Sequence, residues 1–388
     1  MQYMFKSQPT QNIVRIFYLF SSSIVILLSL FVLFGQHAVY RYPRLALDPV
    51  PRPIELENNF GIKITAEGAY FKQSEQFHLR AFRPEVKLHI HLTGKNQPIT
   101  IKIENIHPDS TLRTGGKAKQ LSEKKSGLLR EIIIEDSRKG DVLNLTWVFP
   151  EKDSYRFAAI GDTGGDKALT WSLIRAKEVG ADFLLHLGDV YYNFAEVGRS
   201  VARMNAAEIP VYTAVGNHDY RGHWGNTIDT FIENIGPVNA RFELLGHCFI
   251  NLDTGNFMYP PHKGERAGLL TAELVNHKRK SSNCTDYIIY THKPIISDFK
   301  NSLFPSAKHT LYGYDALWLL NQLQQLENVT IITGHIHDNF EFKQDELRTF
   351  VSGNGLAGVT LDKEKSLVRI LVGTIRKETR LITDWETY

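Results

Sequence analysis

Cysteine is almost absent from this chain. Cys248 and Cys284 are the only two in 388 residues, which excludes a disulfide scaffold and a cysteine-based zinc site. They could close a single bridge in an oxidising compartment, or Cys248 could remain a buried free thiol. Net charge is almost absent too, since 45 basic and 42 acidic side chains leave a formal +3. That is no electrostatic footprint for nucleic acid, and no basic helix interleaved with aromatics replaces one. Internal repeats and low-complexity tracts are missing, while 43% apolar residues suffice for an ordinary core. Lys117, Lys119, Lys124 and Lys125 beside Gly115-Gly116 read as a solvated hairpin loop, not a binding patch.

Charge is also missing from the 19-residue run 16–34. At about 1.5 Å per residue it approaches the roughly 30 Å hydrocarbon core of a bilayer. A cleaved signal peptide has a shorter apolar region, about 7–15 residues, ending in small residues. Gln36-His37-Ala38 fits that poorly, so an uncleaved transmembrane signal anchor over 16–35 is expected, with secretion after cleavage as the alternative. Lys6 and Arg15 before the run are balanced by Arg41 and Arg44 after it, so flanking charge does not fix orientation. The expected arrangement is a short cytoplasmic tail, 1–15, with the folded part outside the cytoplasm. Sequons at Asn144, Asn283 and Asn328 are permitted by that arrangement.

Pro43, Pro49, Pro51 and Pro53 make 36–57 a stiff spacer. The next stretch, 58–150, carries about six short candidate strands: 60–67, 76–82, 86–93, 99–105, 128–135 and 142–149. Alternation such as Lys87-Leu88-His89-Ile90-His91-Leu92 suits half-buried antiparallel strands, so a small all-β sandwich is expected here. His89 and His91 share one strand face and read as surface histidines.

From 151 to 388 the pattern changes again. Apolar runs of strand length at 156–160, 183–187, 211–215, 287–290 and 329–333 are interleaved with helix-like stretches at 169–179, 196–207, 269–280 and 314–326. Such alternation argues for βαβ units, whose strand carboxyl ends line an edge where ligands bind. Each run ends in polar residues: Gly161-Asp162-Thr163-Gly164, Gly188-Asp189-Val190-Tyr191-Tyr192, Gly216-Asn217-His218-Asp219, Thr291-His292 and Gly334-His335-Ile336-His337. Carboxylate, amide oxygen and imidazole are the ligands expected for Fe, Zn or Mn. A phenol is deprotonated readily only beside a strong Lewis acid, so Tyr192 as a ligand points to Fe(III). Two ions about 3.5–4 Å apart can hold a phosphoryl group and lower the pKa of a water, and Asp189 is the natural bridge.

These five segments resemble the motifs of the calcineurin-like metallophosphoesterase superfamily, in particular its purple acid phosphatase branch. Gly164 stands where most of the superfamily has a histidine, and Tyr192 follows its aspartate by three, both as in that branch. The stretch from Gly216 to Asn226 resembles the small tartrate-resistant type. The similarity spans roughly residues 155–358. It implies an α/β fold, the αββα sandwich, preceded here by the β-sandwich and the anchor. It also implies an acid phosphatase-like hydrolase of phosphate monoesters, on small-molecule or protein substrates, with hydroxide on the metals attacking phosphorus. Asp162, Tyr192 and His337 would then hold Fe(III). Asn217, His292 and His335 would hold a divalent Fe, Zn or Mn, with Asp189 between the ions. His218, oriented by Asp219, would move a proton. A second histidine of the family corresponds best to His309, with His262 as rival. The loop Ser352-Gly353-Asn354-Gly355 would line the pocket or serve as a plain turn. A phosphodiesterase on the same site and an inactive binding protein are the competing readings. Substrate choice would lie in 256–266 and 297–313.

Overall fold

In the computed structural model the described residues are 23–29, 54–57, 61–73, 77–93, 98–116, 121–135, 139–222, 225–226, 228–254, 263–279, 284–295, 314–355, 369–377 and 379–387. The chain forms two units, 1–48 and 49–388. In the first, 23–29 is helical, and Ile24, Val25, Ile26, Leu27 and Leu28 are exposed. The rest of the expected anchor, 16–35, lies outside the described residues. Among the described residues no helix is long and apolar enough to cross a membrane.

The second unit begins with two five-stranded sheets. One runs Ile54–Glu57, Ile62–Glu67, Val86–Leu92, Val142–Val148, Thr111–Gly116, antiparallel throughout. Alternation dictates which face is buried. Val86, Leu88, Ile90 and Leu92 point inward while Lys87, His89 and His91 face water. The other sheet runs Ala69–Gln73, Phe77–Ala81, Ile99–Glu104, Leu129–Ile134, Leu121–Ser126. Ile64, Ile90, Leu145 and Trp147 of the first sheet share one core with Leu79, Ile101 and Ile132 of the second.

Three expectations change here. Ile54–Glu57, read as spacer, is an edge strand paired with Ile62–Glu67. Phe77–Ala81 and Ile99–Glu104 pair in parallel, so the sandwich is not purely antiparallel. The region expected to be a hairpin loop contains two strands that do not pair with each other. Thr111–Gly116 joins one sheet and Leu121–Ser126 the other. Both are largely exposed, so neither carries the apolar periodicity by which a strand is read.

The remainder is a four-layer α/β arrangement. One mixed sheet runs Val211–Thr213, Phe183–His186, Ser154–Ile160, Arg369–Arg376, Ile382–Thr387. The other runs Ala240–Leu244, His247–Asn251, Asp286–Thr291, Val329–Thr333, Leu347–Ser352, Asn339–Gln344. Phe157, Phe183, Leu185 and Tyr212 from the first meet Phe242, Phe249, Tyr290 and Phe350 from the second in one core. Helix Lys167–Glu178 packs on Ser154–Ile160 and Phe183–His186. Helices Lys263–Lys278 and Tyr314–Leu323 bury Leu270, Leu274, Leu319 and Leu323 against Ile250, Ile289 and Ile331. The five polar loops therefore leave two stacked sheets, not one.

The sandwich is fastened to this part by Asn105. Its Nδ2 donates to Ala81 O at 2.8 Å and Val211 O at 2.9 Å, and its Oδ1 accepts Val211 N–H at 2.9 Å. That covers the edge strand leading toward Asn217. Cys248 and Cys284 form a disulfide, Cα–Cα 5.6 Å. The bridge ties strand His247–Asn251 to the segment entering Asp286–Thr291, the strand that ends beside His292.

Candidate metal centre

Parallel strands Ser154–Ile160 and Phe183–His186 run directly into Asp162 and Asp189. Strand Val211–Thr213 leads to Asn217, Asp286–Thr291 to His292, and Val329–Thr333 to His335. Asp162, Asp189 and His335 all sit in the left-handed backbone region, at φ 60°, 54° and 66°. Three L-residues held there cost about 1–3 kcal/mol each and persist only where surroundings over-determine them. Glycines make room for the ligand side chains. A Cβ on Gly216 would lie 2.2 Å from Asp189 Oδ1, and one on Gly334 would lie 2.7 Å from Asp162 Oδ2.

Asp162, Asp189, His292 and His335 each offer a ligand atom, and these atoms lie within 4.8 Å of one another. His337 Nε2 is 3.4 Å from Asp162 Oδ1. The Tyr192 ring lies against His218, centroids 4.6 Å apart. Among the described residues, Asp162 Oδ1 and the Tyr192 hydroxyl are buried without a hydrogen-bond partner.

His292 shows most clearly what the cluster is for. Its Nδ1 donates to Leu187 O at 2.8 Å, which fixes the tautomer and leaves Nε2 with a lone pair. Burial, helped by the charge of His335, pushes its pKa well down, so the ring is neutral. Nε2 faces Asn217 Oδ1 at 2.9 Å and Asp189 Oδ1 at 3.5 Å. Asn217 Oδ1, Asp189 Oδ1 and His335 Nδ1, the last 3.0 Å away, thus converge on His292 Nε2. Oxygen and imidazole nitrogen donors gathered this way are a set that a cation can satisfy together.

The carboxylates tell the same story. Burial raises the pKa of Asp162, against the pull of His337. Burial, then the charges of Asp162 and Asp219, hold Asp189 far above the carboxylate range. Burial and the same carboxylates push the Tyr192 phenol up. Cations in the cluster would reverse each of these shifts. The donor set therefore fits a metal centre.

Asp219 lies behind the centre, fully buried, its carboxylate accepting main-chain N–H groups. Gly353 and Gly355 back onto the Asp162 loop, Gly355 N donating to Gly161 O at 3.1 Å. His309 and His262 lie outside the described residues.

Some contributors carried no clear signal. Glu196 accepts Tyr192 N–H at 2.8 Å and Gly165 N–H at 3.3 Å. Its place three residues after Asn193 is capping-box spacing, which could have marked it. Lys293 is buried next to His292, its pKa lowered to about 8 by burial despite Asp189 and Asp253. Tyr220 donates to Asp253 Oδ2 at 2.5 Å. Neither Asp253 nor Lys293 belongs to a motif that sequence reading would isolate.

Residues 155–339 match the family model described as calcineurin-like phosphoesterase. Among solved structures the chain is similar to the purple acid phosphatase PPD1 from yellow lupin seeds, at 13% identity and TM-score 0.47, covering 78% of this chain and 70% of that one. It is also similar to GAP50, the anchor in the inner membrane complex of Plasmodium, at 17% identity and TM-score 0.44, covering 61% and 85%. A third likeness is to PhoD, at 12% identity and TM-score 0.43, covering 78% and 86%. No curated protein matches the chain.

Proposed function

We propose that this protein is a dinuclear-metal hydrolase of phosphate monoesters, of the purple acid phosphatase type. The observation that carries the reading is the convergence of His292 Nε2, Asn217 Oδ1 and Asp189 Oδ1. Asp162, Tyr192 and His337 hold one ion, Fe(III). Asn217, His292 and His335 hold a divalent ion, and Asp189 is shared. When bound, the ions neutralise phosphoryl charge and acidify a water. Gly164 and the buried Tyr192 hydroxyl, without a partner among the described residues, support the ferric assignment. His218, packed against Tyr192, gives the departing alkoxide its proton. Substrates are phosphorylated small molecules or proteins.

The apolar, exposed stretch 24–28 and the Cys248–Cys284 bridge support anchoring through 16–35 with the domain on an oxidising, non-cytoplasmic side. Metal analysis and an absorption spectrum of the full chain test the centre. Two ions per chain and a visible band are expected, with turnover of p-nitrophenyl phosphate exceeding that of its bis ester. Preference for the bis ester makes it a phosphodiesterase. A colourless, active zinc or manganese protein removes it from the purple branch. No turnover of either ester with metals bound makes it a binding protein.

A further inference from the structure

The four-residue helix Asn217–Tyr220 carries Asp219 inward, and none of its surface reaches solvent. Its Oδ2 accepts N–H from Asp189 at 2.9 Å and from Gly216 at 2.8 Å. Its Oδ1 accepts N–H from Val190 at 3.0 Å and, more weakly, from Tyr191 at 3.4 Å. A carboxylate has about four acceptor positions, and here four main-chain donors from two loops meet them. The main-chain carbonyl of Asp219 accepts the Tyr191 hydroxyl at 3.1 Å. The brace is reciprocal, because Asp189 Oδ1 accepts the N–H of His218 at 2.9 Å. Asp189 meanwhile keeps its left-handed φ of 54°, a conformation that needs outside support.

We propose that Asp219 is a positioning residue for Asp189. Its carboxylate binds the N–H groups of the 189–191 loop and ties them to Gly216, so that the Asp189 side chain is presented to the metal pair. This differs from a role in orienting the His218 ring, and it rests on the reading of Asp189 as the shared ligand. The chemistry is that of an anion enclosed by convergent backbone dipoles. An amide in its place can accept on one side only, and its NH2 group would face two N–H donors on the other.

The test is Asp219→Asn in the full chain, with three measurements. Amide hydrogen exchange on metal-free protein should show residues 189–191 and 216 protected in the wild type and losing that protection in the variant. Titration with Zn(II) alone should show affinity weakened about 10–100-fold, as for other groups that support a ligand from behind. The pH profile of p-nitrophenyl phosphate turnover, per bound metal, should keep its limbs. Unchanged exchange in the variant overturns the proposal. So does full Zn(II) affinity combined with a displaced pH limb, which would place Asp219 on His218 instead. Should Asp219→Asn fail to fold, wild-type exchange still decides: amides at 189–191 and 216 exchanging as fast as an open loop overturn it. If the wild type binds no metal, the functional reading fails separately, because the exchange arm needs neither metal nor substrate.

Discussion

A Cβ on residue 164 would lie 2.9 Å from Tyr192 Cδ2 and 3.1 Å from its Cε2. The absence of a side chain at 164 and the presence of an aromatic ring at 192 are therefore one structural fact. Gly164 also holds φ +60°, which costs an L-residue about 1–2 kcal/mol. Gly164→Ala should destabilise the metal-free protein by roughly 2–4 kcal/mol, adding overpacking to the backbone cost. Urea unfolding measures it. Tyr192→Ala in the same chain should relieve the overlap but not the backbone cost, so the two substitutions should couple in a double-mutant cycle. Strict additivity would show that the ring does not depend on the glycine.

Replacing Tyr192 by Phe leaves the ring in place and removes only the hydroxyl. That hydroxyl is buried with no partner among the described residues, so the metal-free protein should lose little stability. The metal-loaded protein should lose its visible band, and its affinity for Fe(III) should fall. A band that survives in Tyr192→Phe would assign the colour elsewhere.

His218 lies edge-on to Tyr192, and the contact with Asp189 Oδ1 is made by its main-chain N–H, which alanine keeps. His218→Ala should therefore leave metal content at the wild-type value. Turnover of p-nitrophenyl phosphate should fall about 10²–10⁴-fold, the usual contribution of a proton donor. Esters with acidic leaving groups, which need the proton least, should suffer least. Equal losses across a leaving-group series would argue against proton donation.

Much of this candidate centre is legible in the sequence because its residues follow mostly buried strands. Phe183–His186 and Asp286–Thr291 bury every side chain, so the apolar runs Phe183-Leu184-Leu185 and Tyr287-Ile288-Ile289-Tyr290 within them mark the strands, and the polar residues after each one stand out. Legibility fails where the partner of a side chain is main chain from elsewhere. Nothing in the letters around Asp219 reveals four N–H groups, three of them about 30 residues away. It fails again where strands are wet. Thr111–Gly116 and Leu121–Ser126 have too few buried positions to show a period of two. Glu104 and Asn105 also read as ordinary polar residues, although they are buried.

His107 sits between the sandwich and the catalytic part, 7% exposed, its ring edge-on to Phe149 and its Nδ1 accepting the N–H of Asp109. Burial lowers its pKa from 6.5 to about 4. The folded-state value is depressed, so the ring's contribution is complete above about pH 6.5 and is lost as pH falls from there to 4. At pH 5 the loss should be about 2 kcal/mol relative to pH 7. Glu104, held near 2, gives way only below its unfolded value of about 4.3, so it does not enter this window. Urea unfolding at pH 7 and pH 5 should show a smaller drop for His107→Gln than for the wild type. Equal drops would mean that this ring is not the group responsible.

Asn105 is a buried contact between the two parts. It is 1% exposed, and its amide meets both the N–H and the carbonyl of Val211 as well as the Ala81 carbonyl. Asn105→Ala strands those three main-chain groups, each worth about 1–3 kcal/mol when buried and unpaired. It also places alanine at φ 66°, where asparagine is better tolerated. A loss of roughly 3–5 kcal/mol is expected. Asn105→Gly separates the terms, since it removes the hydrogen bonds but relieves the backbone. It should remain destabilised by most of that amount. Strand Val211–Thr213 runs toward Asn217, so Zn(II) should also bind more weakly to both variants. Full Zn(II) affinity in a destabilised Asn105→Gly protein would mean that the sandwich steadies the fold without steadying the metal centre.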